Sequence, residues 1–170
     1  MVVETGEIIE NADSYVDIDF ADNYFSSRGE SSWTELSTEN KEYALIKGTD
    51  FVDSSFEWYG KKSTSEQCLN FPRLNLFDKD GYEINGIPSR LKKAVCIAAL
   101  MISQGTDLFQ VHESNGVLAS ESIGSVSFSY NNSLRETDKT LYDSINLLLR
   151  GLYVDYSKSQ LHTLRIRRVL

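Results

Sequence analysis

The chain has 170 residues, 41% hydrophobic and 11% aromatic, with 17 Lys and Arg against 25 Asp and Glu for a net charge of −8. This composition excludes wholesale disorder, and a chain of this length is most simply one domain that buries about 70% of its unfolded surface. It also excludes a membrane-spanning helix, which needs roughly 18 apolar residues, about twice the longest apolar run, Ala94 to Ile102.

The N-terminal Met1-Val-Val-Glu-Thr-Gly-Glu lacks the positive region and apolar core of a secretory signal, and Cys68 and Cys96 are too few for a disulfide framework. A reducing, intracellular site of synthesis is expected. Residues 1–25 carry seven acids (Glu4, Glu7, Glu10, Asp13, Asp17, Asp19, Asp22) and no Lys or Arg. A first helix is predicted from Ile18 to about Arg28, capped by Asp17 and stopped by Gly29, with Phe20 and Tyr24 four apart on one face and Phe25 beside them. Trp33 falls in the connection, where a large ring folds back as a lid on the core. Ser37 or Thr38 caps a second helix with an inner stripe of Ala44, Leu45, Thr49, Val52 and Phe56. Gly48 weakens its interior by about 1 kcal/mol, so the helix bends there or crosses another closely.

Trp58 and Tyr59 follow, then a polar linker from Lys61 to Gln67. Asp78-Lys79-Asp80-Gly81 reads as a turn. As half a calcium loop it would place Leu76 and Ile87 at the first and last ligand positions, and neither can coordinate. Pro88 suits a first helical position, and the run Leu91, Ala94, Val95, Ala98, Leu100, Met101, Ile102 predicts a helix buried against other helices and ended by Gly105. Cys96 lies inside it as a small apolar filler. Gly105 to Ser122 is rich in Ser, Asn and Gly and reads as a loop. Val126-Ser-Phe128-Ser-Tyr130 alternates as a half-buried strand does, and Asn131-Asn132 break it. Thr137 and Asp138 cap a last helix whose apolar face is Leu141, Ile145, Leu148, Leu149 and Leu152, with Gly151 near its end. Leu164 and Ile166 share one face of a C-terminal strand. The expected fold is mainly α, a four-helix bundle-like core with a small β component near residues 123–130 and 162–169. The whole of 1–170 forms one domain, with an acidic segment over 1–16 and a basic arm over 158–170.

Few residues point to chemistry. His112 and His162 stand fifty apart without zinc spacing, Cys68 and the serines lack a nucleophile motif, and no glycine-rich loop precedes Lys-Ser/Thr. Acid pairs such as Asp17 and Asp19 are ordinary surface residues unless a cleft raises one of them. No enzyme, cofactor or metal is expected. Trp58-Tyr59-Gly60-Lys61-Lys62 is the one interleaving of aromatic and basic residues that suits a single-stranded nucleic acid. The competing and favoured reading is a helix end with its aromatics packed and its lysines near the C-terminal dipole. Lys158, Arg165, Arg167 and Arg168 make the chain's other end basic. The opposite ends are either solvated separately or meet head to tail between copies.

The order of elements carries a resemblance. Ser14-Tyr15-Val16 leads into Phe20-Ala21-Asp22-Asn23-Tyr24-Phe25, then Ala44-Leu45 and Gly48-Thr49-Asp50-Phe51-Val52-Asp53, then Trp58-Tyr59-Gly60. Gln67-Cys68-Leu69-Asn70-Phe71-Pro72-Arg73, Asp80-Gly81-Tyr82 and Ile87-Pro88 follow, and Leu164-Arg165-Ile166-Arg167-Arg168-Val169 closes the chain. This resembles the small tailed-bacteriophage proteins that act as head–tail connectors (adaptor or head-completion proteins), many of which carry the label DnaT-like single-stranded-DNA-binding protein. The family more often has Trp where Phe71 stands. The resemblance implies a virion protein of the neck, made in the host cytoplasm and assembled as a homo-oligomeric ring of about twelve copies below the portal. The ring would extend the DNA channel, dock the tail or a stopper protein, and let genomic DNA pass without sequence-specific binding. Its contacts would be Arg165, Arg167, Arg168 and Leu170 on one side and Glu4, Glu7 and Glu10 on the other. The alternative is a single-stranded-DNA-binding module of replication type.

Overall fold

Asp17 begins α1 (Ile18–Ser26), its carboxylate accepting the Phe20 N–H at 2.6 Å. The structure is a computed structural model that describes residues 1–109, 120–123, 126–129 and 136–155. The buried pair of α1 is Ala21 and Phe25 rather than Phe20 and Tyr24. Those two rings lie half-exposed under cations, with the Arg28 guanidinium 3.8 Å from the Tyr24 ring and the Lys92 ammonium 5.6 Å from that of Phe20. In the single turn α2 (Ser31–Thr34), Trp33 is fully buried, 4.8 Å from Phe25, and its indole N–H donates to Asp22 at 2.7 Å. Asp22 also pairs with the buried Lys41 ammonium at 2.9 Å, tying α1 and α2 to the next helix.

That helix, α3 (Thr38–Ser55), starts at Ser37, whose hydroxyl accepts the Asn40 N–H. Ala44, Leu45, Thr49 and Val52 face inward as the spacing predicts, joined by Phe51, while Phe56 lies half-buried past the helix end. The second helix of the core, α4 (Ser89–Ser103), begins one residue later than expected because Pro88 is its cap, and it ends at Gln104 before Gly105 with φ 84°. All nine residues from Leu91 to Met101 other than Lys92 and Lys93 are buried. Each large one stabilises the fold by about 1.5–3 kcal/mol. Gly48 resolves into a close crossing. A Cβ there would stand 3.0 Å from the Ala99 nitrogen and 3.1 Å from the Val95 oxygen, so α3 and α4 meet nearly backbone to backbone.

α5 (Glu136–Leu149) packs against α4, and its Tyr142 ring also lies 6.3 Å from that of Phe51 in α3. It starts before Thr137, so Thr137 and Asp138 lie inside its first turn rather than capping it. Its buried face is Tyr142, Ile145 and Leu149, continued by Leu152, with Leu141 and Leu148 at the edges. Two small antiparallel ladders complete the described architecture. β1 (Lys61–Lys62) pairs with β2 (Arg73–Leu74), so the expected linker contains a strand. β4 (Val126–Ser129) is the expected strand, and its partner β3 (Ser120–Ile123) lies in the stretch read as loop. The same stretch begins in the core, since Leu108 is buried and Phe109 meets the Phe51 ring edge-on at 5.5 Å. The fold is mainly α with a small antiparallel β component.

The acidic segment before α1 is folded, not a solvated tail. Val3 bridges to Ser14 in parallel, Tyr15 and Val16 are buried, and the Ser14 hydroxyl lies 3.2 Å from that of Thr49. Charge counting missed this because Glu4 is buried, with its carboxylate accepting the N–H groups of Gly6, Ile8 and Ile9 at 2.7, 3.1 and 2.7 Å. Residues 110–119, Asn131, Asn132 and the C-terminal strand near 162–169 lie outside the described residues.

Candidate functional site

One half-buried carboxylate organises the region around the β1–β2 hairpin. Asp53, near the end of α3, accepts the Tyr15 hydroxyl, the Asn70 backbone N–H at 3.0 Å and the Asn70 side-chain amide at 3.0 Å. Tyr15 in turn accepts the Phe71 N–H at 3.0 Å. Burial raises the pKa of both groups, and the Asp53 charge pushes the Tyr15 phenol further the same way. Phe71, before the cis peptide to Pro72, packs edge-on between Tyr15 and Trp58. Buried Gln67 closes the loop behind it, donating to the Leu69 and Pro72 carbonyls at 2.8 and 3.1 Å and accepting the Thr64 N–H.

Arg73 then fixes the hairpin's outer turn. Its Nε donates to the Tyr59 carbonyl at 2.7 Å, Nη2 to those of Gly60 and Trp58 at 3.1 and 3.3 Å, and Nη1 to that of Asn70 at 3.2 Å. Gly60, with φ 72°, is required there, because a Cβ would fall 2.5 Å from the Leu74 oxygen. The clamp presents neighbouring side chains oppositely. Trp58 points into the core, its indole N–H on the Asp53 carbonyl at 3.2 Å, while Tyr59 is 47% exposed. The Lys61 side chain is exposed and makes no hydrogen bond or ion pair to a described residue, and the Lys62 ammonium donates to the Gln67 carbonyl at 3.5 Å.

The end of α5 joins this hairpin to a cleft. The Tyr59 N–H donates to Leu152 O at 2.9 Å, and two residues earlier Arg150 O accepts from Arg90 Nη1 at 3.1 Å. Arg90, Arg150, Lys79, Asp78 and Asp80 line a cleft of about 780 Å³ beside Pro88 and Gly151. Both acids are engaged locally. Asp78 accepts the N–H groups of Asp80 and Tyr82, and Asp80 pairs with Lys79 at 2.8 Å. Phe77 and Tyr82 bracket that turn, 51% and 73% exposed. Exposed rings and cations therefore share one region of a protein whose net charge is −8.

A family model described as "Putative DnaT-like ssDNA binding protein" matches residues 1–169. The chain belongs to this family. No curated protein and no solved structure matches it. The family's description names the DNA-binding alternative raised by the sequence and does not mention a connector.

For this DnaT-like chain, the packed reading of Trp58 to Lys62 holds for Trp58 alone. The lysines sit in β1, beyond the end of α3 and away from its dipole, and Tyr59 faces outward. Of the residues named as contacts, Glu7 and Glu10 are exposed and Glu4 is buried within its own loop. Arg165, Arg167, Arg168 and Leu170 lie outside the described residues, as do His112, His162 and Lys158. Cys68 is exposed and Cys96 buried, where burial pushes its thiol up to about 12. Among the described residues no group of three His, Cys, Asp or Glu is placed to hold a metal. Sequence reasoning missed Arg90 and Arg150, sixty positions apart, and no local signal links them.

Proposed function

We propose that this protein binds single-stranded DNA through the surface formed by the β1–β2 hairpin and the adjoining cleft. The observation that carries the reading is the outward, half-exposed Tyr59 ring, two residues before the exposed Lys61 in the same hairpin. An exposed ring offers a sequence-tolerant stacking surface, and cations beside it meet the phosphates. The family's description supports the same ligand. The acid excess restricts binding to this local region, so affinity falls steeply as salt rises. Titrating a fluorescein-labelled oligothymidylate at increasing salt tests the reading. Saturable micromolar binding that weakens with salt is expected, and no binding at low salt would overturn it.

A structural role in a phage neck is the second reading, and the acid excess favours it. A channel wall of net negative charge lets DNA slide past without sticking. In this reading copies of the chain form a ring on a portal protein, with a tail or stopper protein docking below. Electron microscopy of the protein mixed with portal would show a ring seated on the portal. Monomers that leave the portal bare would remove it.

A further inference from the structure

We infer that the cleft between the Asp78–Asp80 turn and the start of α4 is a phosphate subsite, read by Arg90 and Arg150, and separate from the stacking position at Tyr59. The inference rests on the single-stranded-DNA reading and assigns its two energetic components to different residues.

The geometry supplies three supports. First, the cleft's cations, Lys79, Arg90 and Arg150, outnumber its acids, Asp78 and Asp80. Asp78 holds the N–H groups of its own turn, and Asp80 faces Lys79. Second, Arg90 and Arg150, sixty residues apart in sequence, line the same cleft, and the Arg90 guanidinium donates one hydrogen bond to the Arg150 backbone carbonyl. A guanidinium has five N–H donors, so Arg90 keeps four, and the Arg150 side chain makes no hydrogen bond or ion pair to a described residue. Such a pair suits an anion with several oxygens. Third, the backbone from Arg150 to Leu152 runs from the cleft to the hairpin, where Leu152 O accepts the Tyr59 N–H. A chain with alternating bases and phosphates can therefore place a base on Tyr59 and a phosphate in the cleft. The volume of about 780 Å³ exceeds a phosphate group and accommodates the adjoining sugar.

The two components differ in salt dependence, which makes the division measurable. Each phosphate contact to a single strand adds about 0.7 to the slope of log affinity against log salt, whereas stacking adds none. With labelled oligothymidylate, Arg150→Ala and Arg90→Ala should each lower that slope by about 0.7 and weaken binding several-fold at low salt. Arg150→Lys should retain the slope, and Lys47→Ala, on the exposed face of α3, should leave both quantities unchanged. Tyr59→Ala should weaken binding about tenfold at an unchanged slope. Circular dichroism of each variant confirms a folded protein. Binding by the unmodified protein with slopes unaffected by both arginine substitutions would overturn the subsite and leave the DNA reading standing. No binding by the unmodified protein would overturn both.

Discussion

At the scale of single residues, the Tyr15 hydroxyl joins three separate parts of the chain. It donates to Asp53 at the end of α3 and accepts the N–H of Phe71, a residue fifty-six positions away. Phe71 is fully buried, so removing the hydroxyl leaves its N–H without a partner, while the half-buried Asp53 keeps only its Asn70 bonds. Tyr15→Phe keeps the ring that packs edge-on against Phe71 and loses only the bonds. The expected cost is about 1–3 kcal/mol, because an unsatisfied buried group costs more than an average hydrogen bond contributes. Urea unfolding measures it as a lower midpoint at constant slope, and an unchanged midpoint would show that the hydroxyl is dispensable. Arg73 is a similar case: four backbone carbonyls occupy its guanidinium.

At the scale of elements, the crossing of α3 and α4 sets two effects against each other at Gly48. Alanine is the better helix former by about 1 kcal/mol. Its methyl, however, would meet backbone atoms of Ala99 and Val95 at 3.0–3.1 Å, and backbone cannot swing aside as a side chain can. Overpacking of this kind costs about 1–3 kcal/mol, so Gly48→Ala should lower stability on the order of 1 kcal/mol net. A thermal melt reads the sign, and a higher melting temperature would show that the helices can separate freely. The helices themselves were legible in the sequence, because Asp17, Ser37, Pro88 and Gly105 act locally and their chemistry is visible in a few neighbours. The β1–β2 ladder was not legible. Strands of two residues carry no alternation, and this pair is held by Arg73 and Gln67 rather than by a pattern. The site was half legible for the same reason. The aromatic and basic run around Tyr59 is continuous in sequence, but the split that buries Trp58 and exposes Tyr59 depends on an arginine fourteen residues beyond Tyr59.

At the scale of the whole molecule, charge and fold are distributed differently. Seven acids in the first 25 residues suggest a solvated extension, yet that segment contributes Ala12, Tyr15 and Val16 to the core. Its backbone is held by the inward-turned Glu4 carboxylate and by the Val3–Ser14 bridge. Removing residues 1–17 should therefore abolish cooperative unfolding rather than leave an intact body. The measurement is circular dichroism during a urea titration, and a sharp transition in the shortened protein would refute the assignment. Trp33 and Trp58, the chain's two tryptophans, are well separated in role. Trp33 seals the α1–α3 corner against Asp22, and Trp58 stands at the root of the hairpin, adjacent in sequence to the outward Tyr59. The protein consequently carries its own optical gauge. With Trp33 replaced by Phe, a single indole remains directly behind the proposed contact surface, and a shift in its emission colour would report occupancy without any added dye.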